Sequence, residues 1–455
     1  MNPFLLLSGL FSLTLFVISY FHPSLNPTGL GSDGNEYWHL AANLFRHHTF
    51  AYTSPKYFIP FHPDLLVGFT EPSVMPCTFR LPGYPYILSL LLHIWHSPYI
   101  AIILNYLAYA GICIYGFLLS NMFFPNRLLN RLYNFFLVFS PLYFVRWGIG
   151  SELLAGFLIT GFTYHFLKSI ANSPKAYTHL FIASLWGFLA NFTRGNLIIY
   201  TVSFILIALS AGILRKEKGV LTKSMIILCV FFFSSGAWMY RNYKLTDQWT
   251  ISTQGGYVLH RVNLGHDYTT SNTLYFNLFI KTLQTGKTFN QTEAIVDQEL
   301  KNIVLAAYKK NPMEFFKKTL DGIRTFFLFS YYDISDAITL MPKPLTQRLE
   351  FVRSSSSECK NNGRLKQGLF QISRCYKWVI LISFFSFPVI LLSKWPLKNI
   401  IRSPIFLLYL PTLLSVIITA IFTGAAGDRM RLPFNAPILI FVVLSWGCSF
   451  KKINI

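Results

Sequence analysis

Charge is scarce in this sequence. Only 13% of its 455 residues are Asp, Glu, Lys or Arg, about half the share found in a soluble domain. That poverty excludes a water-soluble globule of ordinary composition. Acidic residues are the scarcer sign, 18 against 39 Lys and Arg, leaving a net charge of +21. Cysteine is also sparse, and the six present show no CxxC or Cys/His spacing, so no zinc centre is indicated. Cys113, Cys229 and Cys448 fall in apolar runs and read as packing residues. Cys77, Cys359 and Cys375 read as loop residues, and a Cys359–Cys375 bond is left open because spacing does not establish geometry. The sequence has no low-complexity tract and no repeat.

What is abundant is apolar length. Apolar residues make up 53% of the chain, in runs of about 17–20 residues, enough to cross a bilayer as helices. Spans are expected at 3–21, 99–120, 132–148, 152–168, 178–193, 196–214, 222–240, 375–393, 404–423 and 433–449. The run Asn2 to Phe21 has no basic leader and no small-residue cleavage site, so it reads as a retained span. The expected fold class is thus an all-α polytopic membrane protein of about ten transmembrane helices.

Basic residues cluster in alternate connections: Arg127 and Arg131; Lys168 and Lys175; Arg215, Lys216, Lys218 and Lys223; Lys394, Lys398 and Arg402; Lys451 and Lys452. Such clusters mark the cytoplasmic side, which places both termini inside. Their distribution encodes topology and fits an anionic lipid surface, not a nucleic-acid groove. The chain then divides into a first span (1–21), a first outer loop (22–98), a helical bundle (99–240), a second outer loop (241–374) and C-terminal spans (375–455). By parity, the apolar stretch Tyr84 to Trp95 cannot cross and is expected to lie at the interface. Phe315 to Tyr332, with Lys317, Lys318 and Arg324 among its aromatics, is read the same way. Under this topology 17 of the 18 acidic residues lie outside and only Glu217 inside. Either a polar site on the non-cytoplasmic side or simply the presence of the long polar loops there accounts for that.

The candidate chemistry lies in those outer segments. Asp33, Glu36 and Tyr37 share one face of an expected helix. Asp33-x-x-Glu36 also fits a capping box, and a carboxylate at a helix start beside a membrane suits a general base. Arg80 sits in Phe79-Arg80-Leu81-Pro82-Gly83-Tyr84-Pro85, a turn before the interfacial stretch, either facing a lipid phosphate or snorkelling. Glu152, after Ser151, lies between two apolar runs, where a carboxylate is costly and is expected to be paired or to face a water-filled cavity. Arg194, Arg241, Arg429 and Arg431 fall at the same edge, and arginine forks match phosphate oxygens. The Gly255-Gly256 pair is too short for a phosphate loop.

Taken in order, these motifs resemble the GT-C superfamily of membrane glycosyltransferases. The nearest likeness is to the branch containing dolichyl-phosphate-mannose protein mannosyltransferases and bacterial lipid-A aminoarabinose transferases. It rests on Asp33, Tyr37, Ala41 and Ala42; on Arg80 to Pro85; on Ser151-Glu152 and Thr193-Arg194; on Trp238 to Tyr243 and Ser252 to Gly256; and on Arg429 to Pro433. Many relatives carry an Asp-Glu pair where this chain has Asp33-Gly34, so Glu36 stands as the candidate second carboxylate. The resemblance implies an inverting transfer of sugar from a polyprenyl-phosphate donor to a lipid, glycan or protein acceptor. It assigns catalytic roles to Asp33, Glu152 and Glu36, and substrate binding to Tyr37, Arg80, Tyr84, Arg194, Arg241, Arg429 and Arg431. It leaves a divalent metal open. The implied setting is a cell membrane, with the site on the non-cytoplasmic side. A lipid-linked sugar transporter and a non-catalytic glycan-assembly protein are the rival readings; no inverted repeat supports the first.

Overall fold

A computed structural model describes residues 32–54, 74–140, 149–171, 174–264, 268–328, 364–395, 403–423 and 432–446. The expected first span at 3–21 lies outside them, as do Cys359, Cys448, Arg429 and Arg431. The described chain is almost wholly helical. Its helices are α1 (Ser32–His47), α2 (Gly83–Leu92), α3 (Tyr99–Phe123), α4 (Arg127–Val138), α5 (Glu152–Ile170), α6 (Ala176–Thr193), α7 (Asn196–Arg215) and α8 (Lys218–Thr246). They continue as α9 (Gly255–Asn263), α10 (Tyr268–Leu283), α11 (Phe289–Lys310), α12 (Pro312–Leu328), α13 (Arg364–Lys394), α14 (Pro404–Thr423) and, after a 3-10 turn at Leu432–Phe434, α15 (Asn435–Trp446). The only strands among the described residues are β1 (Ala51–Tyr52) and β2 (Met75–Pro76), antiparallel with Tyr52 opposite Met75.

Six described segments are long and apolar enough to cross a membrane: α3, α5, α7, α8, Cys375–Ser393 of α13 and Pro404–Ile421 of α14. The chain is an integral membrane protein. α6 is long enough but more polar, with His179 and Asn191 in its length. The span expected at 132–148 is helical over Arg127–Val138, and residues 141–148 lie outside the described set. α13 starts at Arg364, well before the expected 375, so Cys375 is a helix residue and not a loop residue. The prefix is polar, so hydropathy ends where backbone hydrogen bonding continues. Cys229 is exposed on α8 and packs against nothing in the core, unlike buried Cys113.

α5 is the bundle's centre, packed on α3 and α6. Of its apolar window 78% is buried, against 28% for α8, whose Phe232 and Phe233 point outward. An outward apolar face is stable where the solvent is lipid. At about 1.5 Å per residue, a 29-residue α8 exceeds a roughly 30 Å hydrocarbon layer. Its end, carrying Trp238 to Thr246, therefore emerges among the loops.

Those loops share a core of their own. Leu40, Tyr52, Met75, Cys77 and Phe79 of the first loop cluster with Tyr257, Tyr275, Phe279, Phe289, Val296 and Leu300 of the second. Neither half contains enough apolar surface to read as a domain in the sequence. Together they form a cap-like second cluster beside the membrane bundle's own core.

Candidate active site

Arg80 is the hub. It is 4% exposed, and its Nε donates to Glu36 Oε2 at 2.6 Å while Nη2 donates to Asp33 Oδ1 at 2.7 Å. Asp33 and Glu36 lie three apart on α1, one helical face, so a single guanidinium fork reaches both. The rings of Tyr37 and Phe79 flank the guanidinium, 5.1 and 5.4 Å from its carbon. Glu36 thus serves Arg80, not a helix cap.

The two carboxylates differ in depth. Asp33 keeps 26% of its side chain exposed, whereas Glu36 is fully buried. Glu36 also accepts from the Tyr52 hydroxyl across β1. Burial pushes the Glu36 carboxyl up to about 7, against the pull of Arg80 and Tyr52. Cys77, beside Tyr52, donates to its oxygen at 3.3 Å and accepts from the Arg80 N–H at 3.3 Å. Burial raises that thiol to about 12, so it stays protonated and structural.

A second ion pair lies at the head of α5. Glu152 is 1% exposed, and its Oε1 is 3.2 Å from Arg194 Nη1, which also donates to Ser151 Oγ at 3.2 Å. Arg194 sits in the extended link between α6 and α7, which aims it back at α5. This is the pairing expected of a carboxylate at that depth. Two tyrosines connect the pairs. Tyr37 meets Tyr84 edge-on at 5.2 Å, and Tyr84 Oη accepts from Gly150 N–H at 3.2 Å. Burial lifts the Tyr84 phenol above its usual range. Being fully buried, Tyr84 positions its neighbours.

The departure at Gly34 has a steric reason. A side-chain carbon there would begin 3.1 Å from the Ile149 carbonyl oxygen. A side chain at this position would press on the link into α5, and the carboxylate that shares Arg80 with Asp33 is Glu36, three positions after Asp33. Gly83 is similarly constrained: a Cβ would meet the Phe192 carbonyl group at 2.6 Å. Glycine lets α2 lie directly on the end of α6.

Arg241 is placed apart from both pairs. Its Nη1 donates to the Cys77 carbonyl at 2.7 Å and to Asn242 Oδ1 at 2.9 Å, and it stacks over Trp238 at 4.7 Å. The three described candidate arginines thus contact two carboxylate sites and one backbone carbonyl. Among the described residues no group of three or more His, Cys, Asp or Glu is arranged to hold a metal. Tyr52, Thr78, Thr253 and Glu293 belong to this neighbourhood but carry little sequence signal. The one hint is Asn290, Glu293 and Asp297 recurring at helical spacing in α11 among buried apolar residues.

The backbone matches, over 99% of its length, AglB, the archaeal oligosaccharyltransferase from Archaeoglobus fulgidus, in its complex with an inhibitory peptide and a dolichol-phosphate. The TM-score is 0.52 at 12% identity. The chain has the GT-C fold. It spans 50% of the length of that AglB chain. ArnT from Cupriavidus metallidurans, bound to undecaprenyl phosphate, matches over 97% of this chain and 77% of its own, with a TM-score of 0.38 and 12% identity. No protein-family model matches the sequence, and no curated protein is similar to it. In this fold the Asp33–Arg80–Glu36 cluster joins α1 to the turn before α2, and Glu152–Arg194 joins the head of α5 to the link between α6 and α7.

Proposed function

We propose that this chain is an inverting glycosyltransferase that moves a sugar from a polyprenyl-phosphate donor to a lipid, glycan or protein acceptor on the non-cytoplasmic side. The observation that carries this reading is one buried arginine holding two carboxylates of α1, of which only Asp33 reaches solvent. Asp33 takes the proton of the acceptor hydroxyl or amine as that group attacks the anomeric carbon. Glu36 stays below it as the anchor of Arg80. The bond from sugar to phosphate breaks, and negative charge grows on the lipid phosphate. Arg194, steadied by Glu152 and Ser151, meets that charge; Arg429 and Arg431, outside the described residues, stand as donor-binding candidates on the sequence resemblance alone. Preorganised cations are most effective where water is excluded. Glu152, buried behind Arg194, orients it. Tyr37 and Tyr84 form the wall between the two groups, and Arg241 holds the turn that bears Arg80. The test is transfer of labelled sugar from a polyprenyl-phosphate donor by the purified protein in lipid vesicles. Transbilayer movement of the donor without transfer would replace this reading with a transporter.

A further inference from the structure

The short segment from Pro76 to Arg80 is held at nearly every polar atom by partners far away in sequence. Asn290 Nδ2 donates to the Pro76 carbonyl at 2.6 Å. Arg241 donates to the Cys77 carbonyl, and Thr253 N–H to the Thr78 carbonyl at 3.0 Å. Ser252 Oγ donates to the Phe79 carbonyl at 2.5 Å. The Thr78 hydroxyl, at 2.8 Å, donates to Glu293 Oε2, while the Thr253 hydroxyl donates to Glu293 Oε1. Among the described residues, Glu293 thus grips both sides of this junction, the turn of the first loop and the Ser252-Thr253 motif of the second.

We propose that Glu293 is a positioning residue for the reaction described above: it locks the Thr78–Arg80 turn so that the Arg80 fork stays on Asp33. This inference rests on that functional reading for its catalytic consequence, and on geometry alone for the lock. Glu293 is 1% exposed. Among the described residues, no Lys or Arg forms an ion pair with it. Its two partners are hydroxyls. Burial raises its carboxyl to about 8, with Asp297 and Glu36 adding to the effect. A largely neutral acid here can both accept and donate between two hydroxyls, without the cost of a buried charge. The neighbouring Asp297 is engaged separately, by Gly256 N–H and Lys301. A carboxyl reached only by hydroxyls of two different loops is suited to joining them, not to binding a cation or a substrate.

Cys77 offers a built-in reporter, because it is buried at the foot of the same turn. Cys113, buried in α3, reports on the bundle. The experiment labels the full-length purified protein with N-ethylmaleimide and reads each cysteine by mass spectrometry, alongside transfer kinetics. Wild type should protect both thiols. Glu293→Ala, which loses both hydroxyl partners, should label Cys77 faster by at least about tenfold, the factor that one buried hydrogen bond alone carries, with Cys113 still protected and kcat lowered more than donor KM is raised. Glu293→Gln should keep Cys77 protected and retain most transfer, since an amide also accepts and donates. Thr78→Val, which removes the bonds to Glu293 and Asn290 but leaves Thr253 on Glu293, should also speed Cys77 labelling with Cys113 still protected. Protected Cys77 in Glu293→Ala would overturn the proposal. So would exposure of Cys77 and Cys113 together in both Glu293→Ala and Thr78→Val, which would make Glu293 a general core residue. If wild type transfers no sugar, the glycosyltransferase reading fails, while the Cys77 labelling still decides whether Glu293 locks the turn.

Discussion

Asp33 and Glu36 share one arginine yet have different surroundings, and that difference separates their roles. Asp33→Asn removes the base while retaining a polar side chain beside Arg80. Transfer should fall by roughly two to four powers of ten, the range of general-base catalysis, with expression and membrane insertion unchanged. Full activity would reduce Asp33 to a partner of Arg80. Arg241→Ala should also lower transfer strongly, because the Cys77 carbonyl loses its donor. Arg241→Lys should rescue only in part, keeping the charge but losing the planar contact with Trp238 and the second hydrogen bond. Equal kinetics for Lys and Arg would leave only an interfacial cation. The buried acids add a pH dependence. Glu36 and Glu293 have an ordinary value of 4.5, raised to about 7 and about 8 in the fold. The folded state binds more protons than the unfolded state above pH 4.5. Their contribution to stability is thus fully present below 4.5 and is lost as pH rises through 7 and 8. The melting temperature should fall between pH 6 and 9, and Glu293→Gln should make that fall shallower; an unchanged slope would remove Glu293 from the titration.

Among the elements, α2 shows how a sequence motif becomes packing. Its Pro82-Gly83-Tyr84-Pro85 start combines a turn with a close approach to Phe192. Gly83→Ala would force a methyl into a backbone carbonyl and push α2 off α6. The cost should be about 1–3 kcal/mol, as for other overpacked sites, visible as a lower melting temperature. Loss of activity should accompany it, since Tyr84 links to Gly150. The bundle helices were legible because apolar runs and spans have one length scale: α3, α5, α7 and α14 fall where the runs do. The polar start of α13 was not, because no hydropathy marks it. The ion pairs were half legible. Glu152 announced a partner by its cost in an apolar stretch, and Arg194 stood nearby at the same edge. The Arg80 pair was not announced, since Arg80 stands in a turn whose position over α1 is set by the fold and not by any apolar run.

For the molecule as a whole, the charge pattern predicts the side of each loop. In a background without Cys229, Cys359, Cys375 and Cys448, cysteines replacing the exposed Asn35 and His96 should react with an impermeant reagent from outside intact cells. One replacing Arg127, beyond α3, should react only after the cytoplasm is opened. Opposite labelling of Asn35 and His96 would mean that α2 crosses the bilayer.

By itself, the sequence determined the solvent, the apolar bundle helices and the candidate residues. Apolar length, charge alternation and single carboxylates in costly places are local quantities, readable along the chain. Only the tertiary structure decided which partner each charged group takes. It joined Thr78 of the first loop to Thr253 and Glu293 of the second, and built one core from two loops that separately lack one. Such contacts depend on loop segments distant in sequence meeting in space. No periodicity records them, because each side chain satisfies a partner whose position is set by the rest of the fold.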